Sequence, residues 1–319
     1  MNRRTLRSMV IACALAAVGT VAGTGAADAS SVSAKGFGST PSAHHGQPAA
    51  SKYDYYLALG DSLAWGYQPN ATGAGIKSGH GYADDLAAYL RSQNDRQLRY
   101  VNLSCPGENT GTMINGSCPD LAGSGQKYSA QLAAAVSFLK AHPHSRILVT
   151  LDIGANNVDG CLSASGISES CVEQGLAAAG TDVPTILAQL KAAAGKQVTF
   201  IGMNYYDPFL AEWLTGAAGQ TLAQESVGLS TTFNGILDTA FSAYGVKVAD
   251  VADAFKTADF ADTTKLNGTT VPVNVADICN WTWMCAPSPV GPNIHANDTG
   301  YRVIARAFEA QLPARHWHW

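Results

Sequence analysis

Ser62 follows a hydrophobic segment in a position that suits either a catalytic nucleophile or a helix cap. The segment Tyr55–Leu59 is aromatic and aliphatic, which is typical of a buried strand, and Gly60 and Asp61 end it. The carboxyl end of a strand in an open α/β sheet is the edge at which ligands bind. Serine is also a preferred N-cap residue, so this segment by itself leaves both interpretations open.

The chain resembles the GDSL, or SGNH, hydrolases at the segment Gly60-Asp61-Ser62-Leu63, which is similar to the nucleophile block of that family. The family is named for a serine, a glycine, an asparagine and a histidine that stand in four successive blocks. The resemblance implies that Ser62 is the nucleophile of an ester hydrolase. It also implies that three further blocks follow the serine in order.

Two segments that follow later predicted strands resemble the second and third blocks. Gly107 follows the second strand and stands where the family supplies a backbone N–H group. Asn156 follows the third strand at the donor asparagine position, although Asn157 replaces the aspartate that usually comes next. Glycine and asparagine are common in ordinary turns, so these two matches depend on their order and position. The resemblance implies an oxyanion hole made by the backbone N–H groups of Ser62 and Gly107 and by the Asn156 side chain.

The fourth block places a candidate base, His295, just before the last predicted helix. Pro292 occupies the position where the family usually has an aspartate that orients the histidine. A serine hydroxyl needs a base to take its proton, and that base needs a hydrogen-bond acceptor at its far nitrogen. We therefore predict a Ser62–His295 dyad that is oriented by a backbone carbonyl. Asp298 is the rival acceptor, but it opens the helix and suits an N-cap.

Five hydrophobic segments that read as strands alternate with segments of helical periodicity. The strands are predicted at residues 55–59, 99–104, 145–153, 197–206 and 246–251. This alternation predicts an α/β fold with three layers, α/β/α, around a five-stranded parallel sheet. The resemblance likewise implies a flavodoxin-like SGNH hydrolase fold. Right-handed crossovers would bring the ends of the first three strands, and so Ser62, Gly107 and Asn156, to one edge of the sheet.

The first residues of the chain predict export. Three arginines precede an apolar stretch, and Ala27-Asp28-Ala29 offers small residues for cleavage. We expect a signal peptide at residues 1–29, a disordered leader at 30–51, a single SGNH hydrolase domain at 52–319, and a secreted product. No later segment is long and apolar enough to span a bilayer. The net charge of −4 gives no basis for nucleic-acid binding.

Six of the seven cysteines remain once the predicted signal peptide is removed. An exported protein with an even number of cysteines favours disulfides. Many connectivities are possible for six cysteines, and we choose nearest neighbours because each pair is close in sequence. The expected pairs are Cys105–Cys118, Cys161–Cys171 and Cys279–Cys285. No Cys-x-x-Cys or histidine-rich cluster indicates a metal site.

The resemblance implies hydrolysis of acyl esters through an acyl-enzyme, with a small-molecule or lipid ester as the only partner. We expect a monomer that needs no metal or organic cofactor. Bulky residues in predicted loops suit an acyl-chain pocket, although such residues also fill cores beneath loops: Trp65, Tyr67, Phe209, Trp213, Trp281, Trp283 and Met284. Two alternatives to a lipase or esterase stay open. One is a carbohydrate O-deacetylase, and the other is a catalytically inactive member that binds lipid or glycan.

Overall fold

A computed structural model describes residues 53–93, 97–163 and 166–313. The predicted signal peptide and leader, residues 1–29 and 30–51, lie outside the described residues. None of the described helices combines the length and the apolar character that crossing a bilayer requires.

Five parallel strands form the central sheet, as the sequence predicts. They are β1 (Tyr55–Gly60), β2 (Arg99–Asn102), β3 (Ile147–Asp152), β4 (Val198–Met203) and β5 (Lys247–Ala249). Their order across the sheet is β2-β1-β3-β4-β5, and every pairing is parallel. The strand order reverses between β1 and β3, so the crevice that binds ligands in this kind of sheet opens at the carboxyl ends of these two strands.

The two strands beside this crevice are the most completely buried of the sheet. All six residues of β3 and the last five of β1 are buried. Strands with helices on both faces read as continuous apolar runs, which explains why the two strands were recognisable in the sequence. Gly60 ends β1 with a φ of +136°, and a Cβ there would lie 2.1 Å from the carbonyl oxygen of Asp152. Glycine is therefore required where β1 passes the end of β3.

Ten α-helices lie in the described part of the chain. They are α1 (Ser62–Trp65), α2 (Tyr82–Ser92), α3 (Thr110–Asn115), α4 (Leu121–Ser124), α5 (Gln131–Ala141), α6 (Glu169–Ala193), α7 (Ala217–Ala243), α8 (Val251–Ala254), α9 (Val273–Trp281) and α10 (Asp298–Gln311). Helices α5, α6 and α7 pack in succession, while α2 packs against α10. These two groups cover the two faces of the sheet and give the expected three layers.

Short elements complete the described fold. Three hairpins pair Tyr67–Pro69 with Gly75–Lys77, Leu162–Ser163 with Gly166–Ile167, and Thr263–Leu266 with Thr269–Pro272. Three 3₁₀ segments lie at Ala155–Asn157, Asp159–Cys161 and Pro208–Thr215.

The sequence predicts a loop at residues 111–127 and a loop-rich stretch before Gly291, but both segments contain helices. Residues 111–127 hold α4 and most of α3, and the stretch before Gly291 holds α9 together with a hairpin. These helices are too short to show a clear hydrophobic period, so local pattern does not reveal them. Helix α3 depends instead on a cap, because the Asn109 side chain accepts a hydrogen bond from the Thr112 N–H at 2.9 Å. Proline inside a helical segment predicts a possible break in the helix, but α6 continues through Pro184.

Three disulfides join the same nearest-neighbour pairs that we chose from the sequence. Cys105–Cys118 closes the loop after β2, and Cys161–Cys171 ties the turn after β3 to the start of α6. Cys279–Cys285 ties the end of α9 to the segment that leads towards His295. One of the three bridges therefore fastens a segment that follows a strand beside the crevice, and a second fastens the loop after β2, the outer neighbour of β1.

Candidate active site

Ser62 is the first residue of α1, directly after β1, and its side chain is 7% exposed. The alternative interpretation of Ser62 as the N-cap is wrong, because Asp61 has that position. The Asp61 Oδ1 atom accepts a hydrogen bond from the Leu63 N–H at 2.9 Å. The Ser62 hydroxyl is therefore available for another partner.

That partner is His295, which precedes α10. The His295 Nε2 atom lies 2.7 Å from the Ser62 Oγ atom, although the two residues are 233 positions apart in the chain. The separation is that of a strong hydrogen bond and of a nucleophile with its general base. The two groups, which the sequence predicted to form a dyad, are thus in contact.

The far nitrogen of His295 faces a side chain and not a backbone carbonyl. Its Nδ1 atom lies 2.7 Å from the Asn293 Oδ1 atom, which also accepts a hydrogen bond from the His295 backbone N–H at 3.1 Å. An atom that accepts from a backbone N–H is the oxygen of the amide, so Nδ1 must carry the proton. This tautomer leaves the lone pair of Nε2 facing Ser62. The predicted carbonyl acceptor is therefore corrected to the Asn293 side chain.

Asp298, the rival acceptor, is bonded elsewhere. Its Oδ1 atom accepts a hydrogen bond from the Gln68 Nε2 atom at 2.6 Å. It is also not the N-cap that we expected, because Asn297 caps α10 by accepting from the N–H groups of Thr299 and Gly300. A cap one residue earlier leaves Asp298 as the first residue of the helix.

Three tyrosines position His295, one by stacking on its ring and two by hydrogen bonds to backbone carbonyl groups. The Tyr67 ring stacks on the imidazole with ring centres 4.0 Å apart, and the Tyr301 hydroxyl donates to the Tyr67 carbonyl at 2.7 Å. The Tyr206 hydroxyl donates to the Ile294 carbonyl at 2.7 Å, next to His295. The sequence analysis expects Tyr67 in the acyl-chain pocket, but its ring contacts His295 instead. No local pattern indicates a contact with a residue so distant in sequence.

Burial determines the charge of the imidazole. It lowers the pKa of His295 to about 3, and no carboxylate from the described part of the chain contacts the ring to oppose this. The side chain is therefore neutral at physiological pH and able to accept a proton.

Two buried carboxyl groups support the turn that carries Ser62. Asp61 accepts a hydrogen bond from the Tyr205 hydroxyl at 3.0 Å, and Asp152 accepts from the Tyr82 hydroxyl at 2.6 Å and from the Ala64 N–H at 3.2 Å. Burial raises the pKa of both carboxyl groups, and the charge of Asp61 raises that of Asp152 further. Both groups bond to the first amides of α1, where negative charge is favoured. Sequence reasoning did not single out Asp152.

The candidate oxyanion donors reach the site to different extents. Asn156 lines the same cavity as Ser62 and His295, and its Nδ2 atom donates to the Glu108 carbonyl at 2.9 Å. An amide nitrogen has two hydrogens, so one remains for a ligand. Gly107 lies in the loop after β2 and does not line this cavity. Its φ of +80° favours glycine, and it directly precedes the carbonyl that holds Asn156.

An apolar wall borders these groups. It is formed by residues from the turn after β3, from α6, from the 3₁₀ segment after β4 and from α7, namely Leu162, Val172, Leu176, Phe209, Leu229 and Phe233. The lining also contains Asp159 and Asp207 but no lysine or arginine. Burial raises the pKa of Asp207 to about 6, and burial with the nearby charges of Asp61 and Asp207 raises that of Asp159 to about 8.

The bulky residues that we expected in the pocket lie elsewhere, with the exception of Phe209. Trp65 is buried and donates through Nε1 to the Ser124 carbonyl. Trp213 packs on Phe260, and Trp281 packs on Phe255. Within the described residues, the one cluster with metal-ligand spacing is Cys105, Glu108 and Cys118, but its two cysteines form a disulfide and offer no thiolate.

Comparisons with known proteins identify relatives of this arrangement. The family model of the GDSL-like Lipase/Acylhydrolase family matches residues 58–303. The extracellular lipase from Streptomyces rimosus is 17% identical with a TM-score of 0.51, and the match covers 80% of this chain and 98% of the lipase. Phospholipase A1 from Streptomyces albidoflavus is 16% identical with a TM-score of 0.50, and the match covers 81% and 99% of the two chains. A comparison with curated proteins finds no significant match. At these identities the two structures show a shared fold.

Proposed function

Since the chain belongs to the GDSL-like lipase/acylhydrolase family, we propose that it hydrolyses carboxylic esters with Ser62 as nucleophile and His295 as base. The observation that carries this proposal is the 2.7 Å contact between Ser62 Oγ and His295 Nε2. Asn293 supports it, because its amide oxygen holds the proton on Nδ1 and so leaves Nε2 free to act as base.

The reaction follows from these positions. Ser62 Oγ attacks the ester carbonyl while His295 Nε2 takes the hydroxyl proton, and the imidazolium then gives that proton to the departing alcohol. An acyl group is left on the serine. Water, activated by the same nitrogen, attacks this acyl-enzyme and releases the acid, which restores the serine hydroxyl. The chemistry requires no metal or organic cofactor.

The negative charge on the carbonyl oxygen needs donors that are in place before the reaction. We propose that the backbone N–H groups of Ser62 and Gly107 and the Asn156 Nδ2 group supply them. The bond from Asn156 to the Glu108 carbonyl supports this assignment, because it holds the loop after β2 next to the end of β3.

The character of the cavity favours a neutral acyl ester as substrate. The apolar wall around Leu176 and Phe233 suits an acyl chain. A cavity without lysine or arginine lacks the groups that usually bind a phosphate or carboxylate. A lipase or esterase is therefore preferred to a carbohydrate O-deacetylase. The three disulfides support export to an oxidising compartment, where such an enzyme would meet extracellular esters.

A panel of esters tests this proposal. p-Nitrophenyl esters of increasing acyl length are compared with an acetylated sugar, using the wild type, Ser62→Ala and the matched control Ser137→Ala on the exposed side of α5. We expect the wild type and the control to hydrolyse the acyl esters, and Ser62→Ala to lose about 10⁴-fold or more. Activity confined to the acetylated sugar would support the deacetylase alternative. A wild type inactive on every ester would support the binding protein.

A further inference from the structure

The Gln131 side chain connects the end of β1, just before Ser62, to the loop that contains Gly107. It is the first residue of α5 and is fully buried. Its Oε1 atom accepts from the Gly60 N–H at 2.6 Å, and its Nε2 atom donates to the Gly60 carbonyl at 2.9 Å and to the Glu108 Oε2 atom at 2.9 Å. Both amide hydrogens are used, so this side chain has a single orientation.

Glu108 continues this connection to the oxyanion donors. It follows Gly107 directly, it is fully buried, and its backbone carbonyl holds the Asn156 side chain. Its Oε2 atom accepts from Gln131, while its Oε1 atom has no partner of normal hydrogen-bond geometry among the described residues, although Thr112 lies close enough to stabilise the carboxylate. A buried carboxyl group with an unpaired oxygen is costly when ionised, so its presence beside the catalytic groups requires an explanation.

We propose that Gln131 and Glu108 are a positioning pair that sets the distance between the Ser62 nucleophile and the oxyanion donors Gly107 and Asn156. This inference rests on the proposed function of the site. The residues touch no substrate, and they act through the backbone at Gly60 and through the Glu108 carbonyl.

The bonds of Gln131 and Glu108 reach the backbone close to both Ser62 and Gly107, so the pair can affect the reaction through their positions. Gly60 is two residues before Ser62, and the Glu108 N–H and carbonyl belong to the same turn as Gly107. The Gly60 carbonyl also accepts from the Cys105 N–H at 3.1 Å, so β1 and the loop after β2 meet at one atom. Misplacement by a fraction of an ångström weakens a hydrogen bond that forms only with the oxyanion.

The charge of Glu108 bears on the same donors. Burial is the main cause that raises the pKa of its carboxyl group, whereas hydrogen bonds with Thr112 and Gln131 lower it. A carboxylate at this position would repel negative charge that develops on the substrate, because Gly107 is the adjacent residue. Glu108→Gln removes this charge but keeps the acceptor for Gln131, so the two effects can be separated.

Three variants of the full chain test the pair. Gln131→Met keeps the length of the side chain but removes its three hydrogen bonds. Glu108→Gln keeps the acceptor for Gln131 and removes the ionisable group. Asn274→Leu is the matched control, because it deletes a buried amide that bonds the Thr257 carbonyl at 3.1 Å, away from the site. The measurements are kcat and KM on a p-nitrophenyl ester across pH, with Tm for each variant.

We expect Gln131→Met to lower kcat about 10²-fold with KM within about 3-fold, which is the scale for losing one oxyanion donor. The control should lower Tm and leave kcat within about 3-fold. Glu108→Gln keeps the acceptor for Gln131 and should keep kcat within about 3-fold. If Gln131→Met does not fold, Glu108→Leu takes its place, because it removes the bond between the pair, and the same loss of kcat at nearly constant KM is expected.

Two results would overturn the inference. One is a folded Gln131→Met variant with wild-type kcat, and the other is a Glu108→Gln variant whose kcat falls as far as that of Gln131→Met. Failure of the proposed function looks different, because the wild type itself would then hydrolyse no ester, which would overturn both proposals.

Discussion

The most informative single substitution is Asn293→Ala, because it removes the acceptor that orients the candidate base. Asn293 Oδ1 accepts from two donors of the same residue, the His295 Nδ1–H at 2.7 Å and the His295 backbone N–H at 3.1 Å. Without it, the proton can move to Nε2 and the ring can rotate, and in either state Nε2 no longer accepts the Ser62 proton. The stacked Tyr67 ring restrains rotation but not the exchange of the proton.

The size of the effect follows from these bonds. Leaving a buried donor without its acceptor costs about 1–3 kcal/mol, which corresponds to a factor of about 5 to 150. The Nδ1–H bond is the one that orients the ring, so we expect kcat/KM to fall by a factor in this range, about 5-fold to 150-fold. This is less than the loss of about 10⁴-fold when a triad carboxylate is neutralised, because a neutral amide gives the imidazolium no compensating charge.

The assay is hydrolysis of a p-nitrophenyl ester, with Tm as the check on folding. Asn115→Ala, an exposed asparagine at the end of α3, is the matched control and should keep wild-type activity. Asn293→Asp should keep or raise kcat, and its carboxylate should raise the pKa of His295 and move the acid limb of kcat/KM to higher pH. If Asn293→Ala stays within about 3-fold of the wild type, a backbone carbonyl orients the histidine and the reasoning is refuted.

Four further predictions concern the same site. Asn156→Ala should lower kcat about 10²-fold to 10³-fold with little change in KM on a p-nitrophenyl ester, since its donor acts mainly in the transition state. Asp298→Ala should change turnover less than about 3-fold, because that carboxylate bonds Gln68 and not the histidine; a loss near 10⁴-fold would identify it as the missing triad member. Tyr67→Ala should lower kcat/KM about 2-fold to 10-fold, while Tyr67→Phe retains the stacked ring and the activity. The pH profile of kcat/KM should stay flat well below pH 6.5, because burial lowers the pKa of His295 to about 3. The contribution of this histidine to folding stability is then complete above the unfolded value of about 6.5 and is lost as pH falls towards 3, which urea titrations at several pH values can follow.

Much of the fold could be predicted because the main strands and helices show their hydrophobic pattern over a continuous stretch of sequence. The apolar runs of β1 and β3 are buried on both faces, and the periodic faces of α2 and α10 are easy to recognise. The strand order agrees with the flavodoxin-like fold that the family resemblance implied, whereas the alternation of elements predicts only that the sheet is parallel. The helices α3, α4 and α9 were missed because they contain between four and nine residues, and of the three only α3 has a side-chain cap.

The candidate dyad was accessible from the sequence through the family resemblance, but its supporting groups were not. Gln131 lies 71 positions from the glycine that it clamps, and Glu108 differs in no way from a surface glutamate when read locally. Asn293 is only two residues from His295, yet its role depends on a turn that brings the side chain back onto the ring. Such contacts depend on tertiary packing, which composition and periodicity do not encode.

The central proposal is that His295 activates the Ser62 hydroxyl, and covalent labelling tests this proposal most directly. An alkyl fluorophosphonate reacts with a serine hydroxyl only when a base removes its proton. We predict one label per chain, located by mass spectrometry on the peptide that contains Ser62, with no label on Ser62→Ala and strongly slowed labelling of His295→Ala. A folded wild type that takes no label, or takes it equally in His295→Ala, would contradict the account.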